Sequence, residues 1–311
     1  MIAGLVTGTS AGGRREMDAT GVANVDTGEP ITPETVLHVA SLTKPVTCAA
    51  FVTVAPELVD SPVVEVMPQL IGTWRVSPEL TPRDLLSHRS GLRNDLDRDA
   101  LAQFGSGDDA LARAVGLVVS SPPAEAPRTV WEYCNAGYWL AGHALALLSG
   151  ATFESAVAQA VFQPAGMVGS GFEPMPGVCG HRSRKPMEPG YLRARNPGSG
   201  MFSNVPDLLA FAEHLLDSPA VLTAMTKVSV ATPEGTWYGL GCHLADREAS
   251  IIWHRGTSFS GFKSCLLIVP QHRYAAVALT NDFDGDPAID DFLRVSLAEA
   301  TGLGLPWKPA S

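Results

Sequence analysis

Much of what marks a membrane, nucleic-acid or metal protein is missing from this chain of 311 residues. No apolar run approaches the roughly 20 residues needed to cross a bilayer. The nearest case, residues 138–148, is broken by Gly142 and His143. Residues 1–6 carry neither the basic flank nor the long apolar segment of a secretory signal, which predicts a cytoplasmic protein without a membrane partner. Basic residues are also short: 22 lysines and arginines against 32 aspartates and glutamates leave a formal charge of −10. The densest basic run is His181-Arg182-Ser183-Arg184-Lys185, too little to form a footprint for nucleic acid. The five cysteines are scattered, odd in number and without a Cys-x-x-Cys pair, a pattern that fits free thiols better than a disulfide framework or zinc site. The eight histidines show no metal-ligand spacing, so neither metal nor cofactor is expected. In Asp282-Phe283-Asp284-Gly285-Asp286 a calcium loop is spoiled by Pro287, which stands where the loop needs glycine.

What the chain does have is Ser41-Leu42-Thr43-Lys44 ahead of the apolar residues Val46, Ala49, Ala50, Phe51 and Val52. Residues three apart share a helix face, so Ser41 Oγ and the Lys44 amine can meet at the start of a buried helix. Pro45 is compatible with a first turn, where its missing N–H has no intrahelical partner. Burial would lower the amine's pKa towards that of a base. The alternative is a serine cap followed by a solvated lysine. A second Ser-x-x-Lys, Ser260 to Lys263, sits in a stretch patterned as strand and turn, where positions i and i+3 face opposite ways, and is discounted.

Along the chain, residues 2–7 and 16–25 form a hairpin around Gly12-Gly13, closed by turn chemistry at residues 26–30. Residues 58–195 are mostly helical or loop, with Thr81, Asp108 or Asp109, Asn135 and Thr152 as helix caps. A proline- and glycine-rich loop spans residues 173–200. Asn204 and Pro206 open an amphipathic helix. Three strands follow at residues 250–254, 262–269 and 274–281, and a final helix at residues 288–301 turns Ile289, Phe292, Leu293 and Leu297 to one side. The expected division is a sheet domain of residues 1–56 and 196–311 interrupted by a mostly helical domain of residues 57–195, with the site between them.

Three motifs in order resemble the serine β-lactamase and penicillin-binding superfamily, most closely its class C, DD-peptidase and family VIII esterase branch: Ser41-Leu42-Thr43-Lys44, then Tyr133-Cys134-Asn135, then His254-Arg255-Gly256. Leu85-Leu86-Ser87-His88-Arg89-Ser90-Gly91-Leu92 and Tyr238-Gly239-Leu240-Gly241 add to the likeness, which spans essentially the whole chain. It implies an α/β (α+β) fold, an antiparallel sheet flanked by helices with an inserted all-helical domain. The family's usual helix ahead of the first strand has no counterpart, and the third motif opens with histidine instead of lysine, which points towards peptidases, esterases and acyltransferases.

Positions i and i+2 of an extended loop face one side, so Tyr133 and Asn135 can both point into a cleft. Tyr133 is then the proton relay between Ser41 and the leaving group, beside Lys44. Alone, Tyr133 also reads as a core tyrosine, and Asn135 reads sooner as a helix cap than as a site residue. By resemblance His254, ending a strand, positions the substrate or polarises Tyr133. Gly256 lets a substrate lie close against the strand edge. The N–H groups of Ser41 and Thr257 form the oxyanion hole. His88 and Ser90 are read as structural. The expected activity is acyl-enzyme hydrolysis of a small ester or amide. The alternatives are acyl transfer in a biosynthetic pathway, a DD-peptidase or β-lactamase, and a silent scaffold on the same fold.

Overall fold

The computed structural model describes residues 2–94, 101–187, 192–227 and 230–309. Its frame is an antiparallel sheet. The hairpin β1 (Gly4–Ala11) and β2 (Arg14–Asn24) turns on Gly12 and Gly13, both at positive φ. A two-residue turn of that kind matches the right-handed strand twist only if both residues take left-handed backbone, which glycine adopts without steric cost. β3 (Glu29–Pro30) adds an edge to β2. The other strands come from the end of the chain: β4 (Val230–Ala231), β5 (Trp237–Tyr238), β6 (His243–Leu244), β7 (Ile252–Ser258), β8 (Phe262–Val269) and β9 (Tyr274–Thr280). The spatial order is β3-β2-β1-β9-β8-β7-β6-β5-β4, so the two ends of the chain meet at the β1–β9 ladder.

β8 and β9 are buried on both faces. Alternate residues therefore serve different layers. Leu266, Ile268, Ala275, Val277 and Leu279 join the main core with the inner helices. Cys265, Leu267, Val269, Ala276 and Ala278 pack with Ile289, Leu293 and Leu297 of the C-terminal helix Asp286–Thr301 on the outer face. That helix stops where Gly302 takes φ 73°. Phe292, expected on the same face, is only partly buried.

On the inner face α1 (Thr43–Val54) is central and buried along most of its length. Around it lie α2 (Pro82–Leu86), α3 (Ala110–Ser120), α4 (Asn135–Ser149), α5 (Phe153–Ala165), the single turn α6 (Asn196–Ser199), α7 (Val205–Leu216) and α8 (Pro219–Thr226). The C-terminal helix is α9 (Asp286–Thr301). Thr81, Thr152 and Asn204 cap their helices through the side chain; Asp109 makes no such bond. No single helix among the described residues is long and apolar enough to cross a membrane.

The sheet differs from the sequence expectation in two places. β4, β5 and β6 are two-residue strands among glycines, too short to show a period of two. And β7 runs to Ser258 rather than stopping at His254, because Gly256 and Thr257 pair with Ser264 and Lys263 of β8. Pairing across the sheet, rather than local propensity, extends the strand.

Candidate active site

The chain reaches Ser41 through a strained turn. Leu37–His38 pairs with Phe202–Ser203, and Ala40 then takes φ 48°, a left-handed conformation costing a residue with a Cβ about 1–2 kcal/mol. Four bonds hold it there. Val39 N–H donates to Met201 O at 3.0 Å, Ser264 Oγ to Val39 O at 2.7 Å, Thr43 Oγ1 to Ala40 O at 2.6 Å, and Met201 N–H to Thr43 Oγ1 at 3.0 Å. Ser41 thus lies in a 3₁₀ turn, Ala40–Leu42, just ahead of α1 rather than in the helix itself. In such a turn residues i and i+3 eclipse, and Lys44 Nζ comes 3.2 Å from Ser41 Oγ.

Lys44 is fully buried. Burial, and then the charge of Arg195, hold its pKa well below the usual lysine value. Nζ donates to Asn135 Oδ1 and to Gly198 O, both at 2.8 Å, and its third contact is Ser41. Asn135 is therefore not a helix cap. It is the first residue of α4, after the extended Cys134, and its N–H is satisfied by Asn94 Oδ1 at 2.9 Å. Asn94 also donates to Tyr133 O at 3.0 Å and so brackets the tyrosine motif. Nothing in the sequence singles it out, since its partners lie some 40 positions away. His88 is a strut, as expected: its Nδ1 accepts from Cys134 N–H at 3.0 Å and its ring packs 4.3 Å from Tyr133.

The Tyr133 hydroxyl donates to Ser41 Oγ at 2.8 Å, and its ring lies 4.6 Å from Lys44 Nζ. Burial raises its pKa, which keeps it a phenol. His254 stacks on Tyr133 at 6.5 Å, and burial holds its imidazole neutral. The Tyr133 hydroxyl bonds Ser41, not the imidazole. β6 pairs with β7 only at Ile252 and Trp253, so residues 254–258 present an edge to the cavity, with Thr257 exposed on it. At Gly256 the Ser41 turn itself fills the space: an added Cβ would meet Val39 O and Ser264 Oγ at 2.3 Å and Ser41 N at 3.1 Å. Gly256→Ala is expected to destabilise the fold by about 1–3 kcal/mol and to displace the Ser41 N–H. Urea unfolding checks this, and a loss under about 0.5 kcal/mol would mean that the turn has room.

Ser41 and Tyr133 border a cavity of about 710 Å³, a size suited to a small molecule. Residues 173–200 supply much of the wall, among them Met175, Val178, Met187, Leu192 and Arg195; residues 188–191 of that loop lie outside the described residues. Residues 92–107 contribute no lining residue where they are described, and residues 95–100 lie outside the described residues. Of the second Ser-x-x-Lys, Ser260 lines the cavity while Lys263 Nζ binds Asp286 at 2.5 Å, so the two form no pair. His38, missed in the sequence, closes one wall with Nε2–H donated to Ser199 O at 2.7 Å; burial lowers its pKa to about 4.

A family model described as Beta-lactamase matches residues 1–300. Penicillin-binding protein 4 of Amycolatopsis lactamdurans is 27% identical over 321 residues, spanning 93% of this chain and 83% of the relative. A D-aminopeptidase of Gluconobacter oxydans (strain 621H) is 26% identical over 314 residues, spanning 93% of this chain but only 56% of the relative. A solved class C beta-lactamase superposes with a TM-score of 0.75 at 20% identity, covering 90% of this chain and 86% of its own.

Proposed function

Since the chain belongs to the beta-lactamase family, whose members are serine hydrolases, we propose that it works through an acyl-enzyme on Ser41, hydrolysing an ester or amide of a small molecule. The observation carrying this is the contact of one hydroxyl, Ser41 Oγ, with both a buried amine and a buried phenol at the cavity floor.

The proton movements follow from the burial of both partners. As Ser41 Oγ attacks the carbonyl carbon, its proton passes to the Lys44 lone pair, and the tetrahedral oxyanion faces the N–H groups of Ser41 and Thr257. When the intermediate collapses, Tyr133 gives its proton to the departing alcohol or amine and recovers one from the Lys44 ammonium. The step returns a neutral amine and a phenol and leaves an acyl-serine. Water, losing its proton along the same route, releases the acid and restores the hydroxyl. Asn135 and Gly198 O hold the amine in place, and His254 supports the Tyr133 ring.

The names of the relatives bring penicillins and amides of D-amino acids into consideration as substrates. The apolar walls, including Met175, Val178, Phe202 and Phe262, favour a rival second step in which an amine or alcohol replaces water, because they offer water few hydrogen-bond partners. Intact-protein mass after mixing with an activated p-nitrophenyl ester, and separately with a penicillin, tests the reading. An acyl adduct that decays in buffer supports a hydrolase, and decay accelerated by added amine supports an acyltransferase. A lasting penicillin adduct marks a peptidase-like site. No adduct from either reagent, with the protein folded, would leave only the silent scaffold.

A further inference from the structure

We propose that Glu154 is a positioning residue for Lys44: through Asn196 it fixes the turn α6, whose Gly198 carbonyl holds the lysine amine. The inference rests on the acyl-transfer reading above and adds to it a residue outside the substrate cavity.

α6 is one isolated helical turn of four residues, yet three successive carbonyls of it serve side chains around Ser41. Pro197 O accepts from Thr47 Oγ1 at 2.8 Å, Gly198 O from Lys44 Nζ at 2.8 Å and Ser199 O from His38 Nε2 at 2.7 Å. A single turn has too few internal bonds to hold its own shape, so the place of these acceptors depends on what grips the turn from outside. Towards α4 the grip is packing. A Cβ added at Gly142 would meet Pro197 Cγ at 2.3 Å and Cβ at 2.5 Å, which leaves no room to approach further. Such a contact does not stop the turn from sliding along α4.

The bond that does so starts at Asn196, the buried first residue of the turn. Its Nδ2 donates to Glu154 Oε1 at 2.7 Å. Glu154 sits in the first turn of α5, behind the Thr152 cap. Arg193 clips the same carboxylate, with Nε 3.1 Å from Oε1 and Nη2 3.4 Å from Oε2, and is itself tied to Asp108 at 2.7 Å and to Ser106 O at 2.8 Å. One carboxylate therefore anchors the segment entering α6 at two points three residues apart. Glu154 borders a separate cavity of about 310 Å³ and not the one beside Ser41, so it reaches the chemistry only through the protein.

Lys44 Nζ has two acceptors, Asn135 Oδ1 and Gly198 O. With Gly198 O displaced, the amine can turn about its last bond and carry its lone pair away from Ser41 Oγ. A shift of about 1 Å in a reacting group is enough to cost up to about 100-fold in rate.

The burst of p-nitrophenolate from p-nitrophenyl acetate tests the assignment, since this leaving group departs without a proton and the burst then reports the base. Glu154→Met, which keeps the bulk and removes the acceptor, should lower the saturating acylation rate about 10- to 100-fold, with the half-saturating ester concentration changed by less than about twofold. Glu154→Gln, which keeps an oxygen for Asn196 and loses the charge facing Arg193, should recover most of the rate. In a Lys44→Met background, with no amine left to position, adding Glu154→Met should cost less than about twofold. An unchanged rate in Glu154→Met, a loss confined to the half-saturating concentration, a glutamine variant no better than the methionine one, or the same fractional loss in both backgrounds would each overturn the inference. If Glu154→Met does not fold, Asn196→Leu cuts the same link and is read in the same two backgrounds. These outcomes leave the acyl-transfer reading standing, whereas a wild type that is not acylated by the ester sinks both.

Discussion

Replacing Ser41 with alanine is expected to remove the acyl adduct altogether and to lower turnover by roughly four to six orders of magnitude. The size of the effect follows from the way the site is built. Lys44 and Tyr133 both face Ser41 Oγ, so without that oxygen neither has a proton to move, and losses within one catalytic unit do not add. The substitution removes a single atom from a 3₁₀ turn held by four bonds that do not involve the Ser41 side chain, so the fold should keep its melting temperature. Intact mass after an activated ester, with peptide mapping of any residual label, reads the outcome. Ser260 and Cys179 line the same cavity, and a label on either of them in Ser41→Ala at the wild-type rate would show that the nucleophile has been misassigned.

Lys44→Met should slow acylation by about 10²- to 10⁴-fold, the range of a positioned general base, while filling nearly the same volume. The wild-type kcat/KM should fall as pH drops through the depressed lysine pKa and remain level on the alkaline side to beyond pH 10.0, because burial raises Tyr133 above that value. The same protonation state has a signature in stability. Unfolded, the lysine binds a proton below about pH 10.4; folded, it does so only below its depressed pKa. Between those two values the unfolded chain binds more protons, so stability rises with pH. This contribution is complete above the unfolded pKa and is lost as pH falls through the window, at up to about 1.4 kcal/mol per pH unit. The unfolding free energy of the wild type minus that of Lys44→Met, measured from neutral pH to pH 10, should show this slope. A flat difference would mean that the amine stays protonated and that Tyr133 has to act as the base.

The candidate site was legible where it depends on neighbours in the chain. The Ser41–Lys44 spacing needs only one helical turn, Tyr133 needs only the extended stretch ahead of α4, and the alternating layers of β8 and β9 follow from the strand period. The same holds for the Gly12-Gly13 turn, where backbone sterics select glycine. Other features depend on groups that the chain brings together only on folding. Gly198 O reaches Lys44 across 154 positions, and Asn94 reaches the tyrosine motif across about 40. Gly256 is demanded by Val39 O and Ser41 N rather than by any local turn. Asn135 illustrates the difference most directly: its sequence context offers a cap, and the fold gives its oxygen to a lysine. Local propensity fixes which groups the backbone presents and at what period. Which acceptor a buried donor finds depends on what packs against it, because a buried polar group must be paired, and only the tertiary structure supplies its partners.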